Sequence, residues 1–220
     1  MPRPTETALR GRARTLLEAM TERARWIYAL PREEAPAAVR AIALAKGLRA
    51  AEEESGAARY EAADGKASLV TFDSPELDVL LIEAAGSEAP PILAEILERT
   101  RFYAQSALLG VALDVKDPEA PKALRTLAHM VVAWDEDWSD LFLLHLASPD
   151  PVVRHDAVLA LTVAVMVAHD AGPAPALLDE GIRREKFPKL KDTMIEALNV
   201  VRGVTGAPVE MTAVPEPGAS

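Results

Sequence analysis

No cysteine occurs in the 220 residues, which excludes disulfides, thiolate-held metals and a cysteine nucleophile. The same absence fits a reducing compartment. The opening residues, MPRPTETALRGRAR, lack the apolar stretch of a secretory signal. Long apolar runs are missing too. The longest, Ala157–Ala168, has 12 residues and is interrupted by Thr162, whereas a bilayer span needs about 20. It predicts a buried core helix. The expectation is a soluble, cytoplasmic protein without a membrane span. Half of the side chains are apolar, enough for one sizeable core or one short helical stack.

Catalytic signatures are also lacking. The chain has no phosphate-cradling lysine loop, no paired-glycine dinucleotide fingerprint, no His-Glu-x-x-His and no Gly-x-Ser-x-Gly. On one helix, His155 and His169 would stand 14 residues apart, or about 21 Å, too far to share a metal. His129 and His145 sit among apolar neighbours. All four read as core or interface histidines, because metal sites need clustered ligands. No metal or other cofactor is expected.

Basic residues are in deficit, and the net charge is −10. That total argues against nucleic acid as a partner, since phosphate binding needs concentrated lysine and arginine. The charge is unevenly spread. Residues 1–40 hold eight arginines against five glutamates, and residues 41–99 hold five basic against twelve acidic side chains. Residues 182–203 swing back, with six basic against three acidic.

What the chain does have is helical periodicity. Leu9, Ala13, Leu16, Leu17, Met20, Ala24 and Ile27 recur at spacings of three and four and predict one helix over residues 7–30. Its other face carries Arg10, Arg12, Arg14, Arg23 and Arg25. Residues 33–54 predict a second helix, pairing with the first as a helical hairpin. Asp64-Gly65 lies between β-prone stretches and predicts a small β-hairpin insertion near residues 57–72, glycine supplying the positive φ of the turn. Ser74-Pro75-Glu76 reads as a cap and first turn of a short helix ending near Gly86. Further helices are expected over residues 90–115, 119–134, 137–146, 151–169, 174–185 and 189–202. After Gly203 the proline-rich end reads as a disordered tail. The expected organisation is one α-helical domain over residues 1–203 and a tail over 204–220.

Within that pattern a repeat stands out. Ser-Pro-Asp-Pro-Val-Val-Arg at residues 148–154 opens an apolar helix, and 37 residues later the pattern returns in PKLKDTMIEALNV. Pro151 aligns with Pro188, Ala160 with Ala197, Leu161 with Leu198 and Val163 with Val200. A period in the high thirties is one helix pair, so the chain predicts stacked helical hairpins. Asp150-Pro-Val-Val-Arg154, with Ala160-Leu161 following, resembles the second helix of a HEAT repeat, a member of the armadillo-like α-solenoids. The resemblance is clearest over residues 141–203. It implies an all-α fold, a short right-handed solenoid, in which Asp150 and Arg154 join a structural ladder between repeats. Lys191 and Phe187 depart from the pattern, and residues 74–134 lack it.

Two of the three tryptophans flank three acids in Trp134-Asp135-Glu136-Asp137-Trp138. As an exposed patch, Trp134, Asp135, Asp137 and Trp138 would grip a basic or cationic partner. As core residues, the indoles would cap the interior while the acids line a turn. HEAT-like DNA glycosylases combine tryptophans with an aspartate, but they need a basic channel, and residues 100–147 hold four basic against seven acidic side chains. A lyase-like HEAT enzyme is a further alternative that no residue singles out. The reading is therefore a non-catalytic adaptor that binds a protein or peptide along the second helices of its repeats. The tryptophan patch, and secondarily Lys186, Lys189 and Lys191, are the candidate contacts. The alternative is a HEAT-like enzyme acting on a modified base or cofactor.

Overall fold

The computed structural model describes residues 25–51, 57–134 and 136–204. Its first element is a strand. Arg25–Pro31 (β1) alternates Trp26, Tyr28 and Leu30 toward one face and Ile27 and Ala29 toward the other. Aromatic and β-branched residues suit that pleat. Next come a helix, Ala35–Ala45 (α1), and four strands: Arg49–Ala50 (β2), Ala57–Glu61 (β3), Ser68–Ser74 (β4) and Val79–Ala85 (β5). They form one antiparallel sheet in the order β1-β5-β4-β3-β2.

This sheet corrects the all-α solenoid reading. It comes from two local ambiguities. Ile27 continues the apolar spacing of residues 7–24, yet it lies in a strand paired with β5, Leu30 opposite Leu80. Ser74-Pro75-Glu76 starts no helix. Asp78 N–H donates to the Pro75 carbonyl at 3.2 Å, and Asp78 takes a φ of 54°. These residues turn the chain between β4 and β5, because Ser-Pro opens turns as readily as helices. The apolar run that follows is too short for its periodicity to decide between the two. The strand pair around Asp64-Gly65 is present, with Glu61 opposite Ser68 and Gly65 at φ 72°. It is the middle of a five-stranded sheet, not an insertion in a helical protein. The helix expected over residues 33–54 ends at Ala45, and the described end of its expected partner, residues 25–30, is strand. Residues 7–24 and the tail, 205–220, lie outside the described residues.

One sheet face is covered by α1 and by Ala89–Arg99 (α2). Trp26, Leu30, Leu69 and Ile82 pack there with Val39, Ile42, Leu93 and Ile96. The single helix expected over residues 90–115 is broken after Arg99. Thr100 is extended, and its Oγ1 donates to the Ile96 carbonyl at 2.7 Å. Tyr103 then bridges to Ala29 of β1 before Gln105–Ala112 (α3) begins. The apolar spacing runs through this break because its two ends serve two different cores.

The remaining helices are Ala120–Ala128 (α4), Glu136–Leu146 (α5), Pro151–Ala168 (α6), Ala174–Arg184 (α7) and Pro188–Val204 (α8). Successive pairs α3/α4, α5/α6 and α7/α8 pack as hairpins, and α6 lies between α4 and α8. Their shared core holds Leu124, Leu127, Phe142, Leu161, Leu178 and Val201. Ala29, Val79 and Leu81 on the second sheet face, with Leu77 of the β4–β5 turn, meet Leu108 of α3 and Met130 just past α4. Arg25 bridges the halves as well, holding Glu83 through two nitrogens and donating to the Val167 carbonyl at 2.6 Å.

Candidate functional site

The tryptophan cluster sits at the inner end of α5. Trp138 is 7% exposed, and its ring centroid lies 6.4 Å from that of fully buried Phe142. Trp134, half-buried, approaches Phe142 at 5.9 Å and donates its indole N–H to the Asp170 carbonyl at 2.7 Å. Gly172 makes this possible. A Cβ there would stand 2.4 Å from Trp134 Cδ1, and its φ is +44°. The cluster thus fastens the α4–α5 connection to the α6–α7 connection. Asp137 is exposed in the first turn of α5, and Asp135 lies outside the described residues.

The repeat residues take separate roles. Asp150 caps α6, its carboxylate accepting from Val152 N–H at 2.8 Å. Proline at the next position suits that start, since its missing N–H would have no partner there. Arg154 turns to Glu185, just past α7, with Nε–Oε2 at 2.8 Å and Nη2–Oε1 at 3.0 Å. Its remaining nitrogen donates to the carbonyls of Ser148 and Pro149. Glu185 also accepts from the backbone N–H of Lys186 and Phe187. The Arg154 pairing, helped by these N–H groups, holds the Glu185 carboxyl below the usual carboxylate range against the opposing effect of burial. With the Glu185 side chain 1% exposed, this is a closed ion pair in which each partner is satisfied. Beside it opens a cavity of about 340 Å³ lined by Leu146, Pro149, Arg154, Lys186 and Phe187. Lys186 and Lys189 are exposed and Lys191 is half-buried; of the three, Lys186 alone lines the cavity.

A larger feature lies on the outer face of α4, α6 and α8. Val152, Leu159 and Met166, seven residues apart along α6, are 64%, 36% and 51% exposed. Seven residues are nearly two turns, so the three share one stripe. Ile195 and Val200 of α8 are exposed as well. A groove of about 360 Å³ crosses this face between Arg125, His129, Leu159, Val163, Glu196 and Val200. At 18 residues α6 is, by length and composition, the one helix among the described residues able to cross a membrane, yet only a third of it is buried. It is not the wholly buried core helix that the sequence predicts. Ala157, Leu161 and Ala164 face the core, and the opposite side stays open.

No family model, curated protein or solved structure matches the chain.

Chemistry on these surfaces is sparse. Among the described residues no cluster of His, Asp and Glu is fit to hold a metal. His145 is fully buried with Nε2 at 2.7 Å from the Ala112 carbonyl, and burial lowers its pKa. His129 is lowered by burial and, secondarily, by Arg125. His129 is half-buried on the wall of the groove, while His155 and His169 are exposed near the ends of α6. Sequence reasoning missed the α6 stripe because an apolar helix without a polar side reads as buried. The usable signal was the stack itself: in one layer of side-by-side helices, each keeps an outward face.

Proposed function

We propose that the protein is a non-catalytic cytoplasmic adaptor that binds a protein or peptide partner on the outer face of α4, α6 and α8. Residues 105–204 are read as a short, divergent HEAT-like stack placed beside the sheet. One observation carries the reading. The exposed apolar stripe Val152, Leu159 and Met166 runs the length of α6 and adjoins a groove shared with α4 and α8. Contiguous apolar surface rimmed by polar groups is characteristic of protein-binding sites.

The groove suits a partner helix whose apolar positions, spaced three and four apart, settle against α6. Arg125 on the rim is tied to Glu76 at 2.6 Å and lies 3.8 Å from Asp156, so it enters binding already ordered. The wider use of second helices as a binding surface follows the general behaviour of solenoids. The tryptophans support the face from behind, holding the α6–α7 connection.

Leu159→Asp with Val200→Asp tests the reading, because both positions are exposed and the fold does not depend on them. A partner captured by the wild-type protein should bind this variant at least ~30-fold more weakly, the loss of about 2 kcal/mol expected at a binding hot spot. Lys186→Ala should hold it unchanged. Equal retention by the Leu159/Val200 variant would remove the face from the account.

A further inference from the structure

The cavity beside the Arg154–Glu185 pair forms where the α5–α6 turn, the end of α7 and the start of α8 converge. It shares no lining residue with the groove on the outer face. Its charge runs against that of the chain. The molecule carries a net −10, but Arg154, Arg184 and Lys186 line the cavity with Glu185 as the one acidic residue among its described walls. Glu185 offers an incoming anion little repulsion, because Arg154 and the N–H groups of Lys186 and Phe187 occupy both carboxylate oxygens. Two cations are left over. Arg184 shares the Glu180 carboxylate with Arg183, and exposed Lys186 forms no ion pair among the described residues. We propose that this cavity binds a small organic anion, an aryl carboxylate whose ring packs on Phe187 and Met194 and whose charge is met by Lys186 and Arg184.

The walls set the rest of the ligand. Leu146 and Met194 are buried, and Phe187 is 54% exposed. The Phe187 ring lies over the Arg154 guanidinium, 5.7 Å from centroid to Cζ, so a large apolar surface is held in place without being covered. At about 340 Å³ the cavity stands at the small end of the roughly 300–1,000 Å³ that ligand sites span, room for one ring and a short acidic arm. A phosphate would seek free N–H groups at the start of α8, and Glu185 has taken those of Lys186 and Phe187. One unpaired lysine and one shared arginine suit a single negative charge. A few well-placed polar groups on an apolar wall are the usual make-up of a small-ligand site.

Titration of the full chain with hydrocinnamate, followed through isotope-labelled methionine methyls, tests this. The Met194 methyl should shift saturably, while those of Met130 and Met166, which do not line the cavity, stay in place; Met194→Leu assigns the signal. Hydrocinnamyl alcohol, with the ring but no charge, and propionate, with the charge but no ring, should each bind at least ~10-fold more weakly, since a hydrogen bond to a charged group or the burial of a ring is worth that factor. Lys186→Glu and Phe187→Ala should each weaken hydrocinnamate by at least ~10-fold, with the Met130 signal and the helical circular dichroism unchanged, because both residues are exposed. Lys189→Glu, the same charge change at an exposed lysine off the cavity, should stay within about twofold of wild type, its field being screened by solvent and salt. Absence of a saturable shift at Met194 overturns the proposal. Equal binding of alcohol and acid does so as well, leaving an apolar crevice without anion recognition. A loss in Lys189→Glu as large as that in Lys186→Glu would reduce the attraction to the general charge of this end of the molecule and also overturn it. A peptide ending in a free phenylalanine carboxylate should bind no better than hydrocinnamate; binding ~10-fold tighter or more, about 1.4 kcal/mol, would assign the cavity to a chain terminus and overturn the small-ligand reading. None of these outcomes bears on the outer face of α6.

Discussion

At the residue scale the strongest single constraint is the Arg154–Glu185 pair. Glu185→Ala leaves a guanidinium, 13% exposed, facing a vacated site, and removing one partner of a buried pair typically costs about 3–5 kcal/mol. Urea unfolding of the variant should show a loss near the lower figure, since Arg154 keeps the Ser148 and Pro149 carbonyls. The pair also sets a pH dependence. Glu185 is held below its ordinary value, so its contribution is complete above about pH 4.3, the ordinary glutamate pKa. As the pH falls through the folded-state value, the unfolded chain has already taken the proton and the contribution disappears. Wild type should lose stability across that window, and Arg154→Ala should flatten the loss. Gly172→Ala is a second local test. Its Cβ would displace the Trp134 indole, and with the strained φ the expected cost is about 1–3 kcal/mol. A red shift in tryptophan emission should accompany it. The sequence named Arg154 as a structural residue but not its partner. Glu185 is 31 positions away, and nothing at that spacing marks it.

At the scale of elements, legibility followed length and local completeness. The last four helices are readable because each carries its own start and stop, as in Asp150-Pro151 ahead of α6. β1 and β5 are not, because each is a seven-residue apolar run whose identity is decided by its partner strand, remote in sequence. The same limit hid the open side of α6, since burial depends on how many layers pack against a helix. Two leucines two positions apart separate the roles of its sides. Leu161 is fully buried and Leu159 is 36% exposed. Leu161→Ala should destabilise by about 2–5 kcal/mol, and Leu159→Asp should stay within about 0.5 kcal/mol of wild type. Comparable losses for both in chemical denaturation would mean that the α6 stripe is covered within the folded chain and is not a docking face.

At the scale of the whole molecule, the sheet and the helical stack are joined by a small apolar seam around Met130 and Leu81 and by the Arg25 and Arg125 bridges. Among the described residues, the sheet packs against one end of the stack and leaves Leu159, Met166 and Val200 exposed on the outer face of α6 and α8. The central claim is that this face holds a helix. A photo-crosslinking residue placed at Leu159 in the full chain, with a control at Leu143 on α5, exposed to a similar degree, tests it most directly. With partner-containing extract present, the account predicts a discrete adduct from Leu159 to a partner's helical segment, and none from Leu143. Equal labelling at the two positions, or no adduct at Leu159, would contradict it.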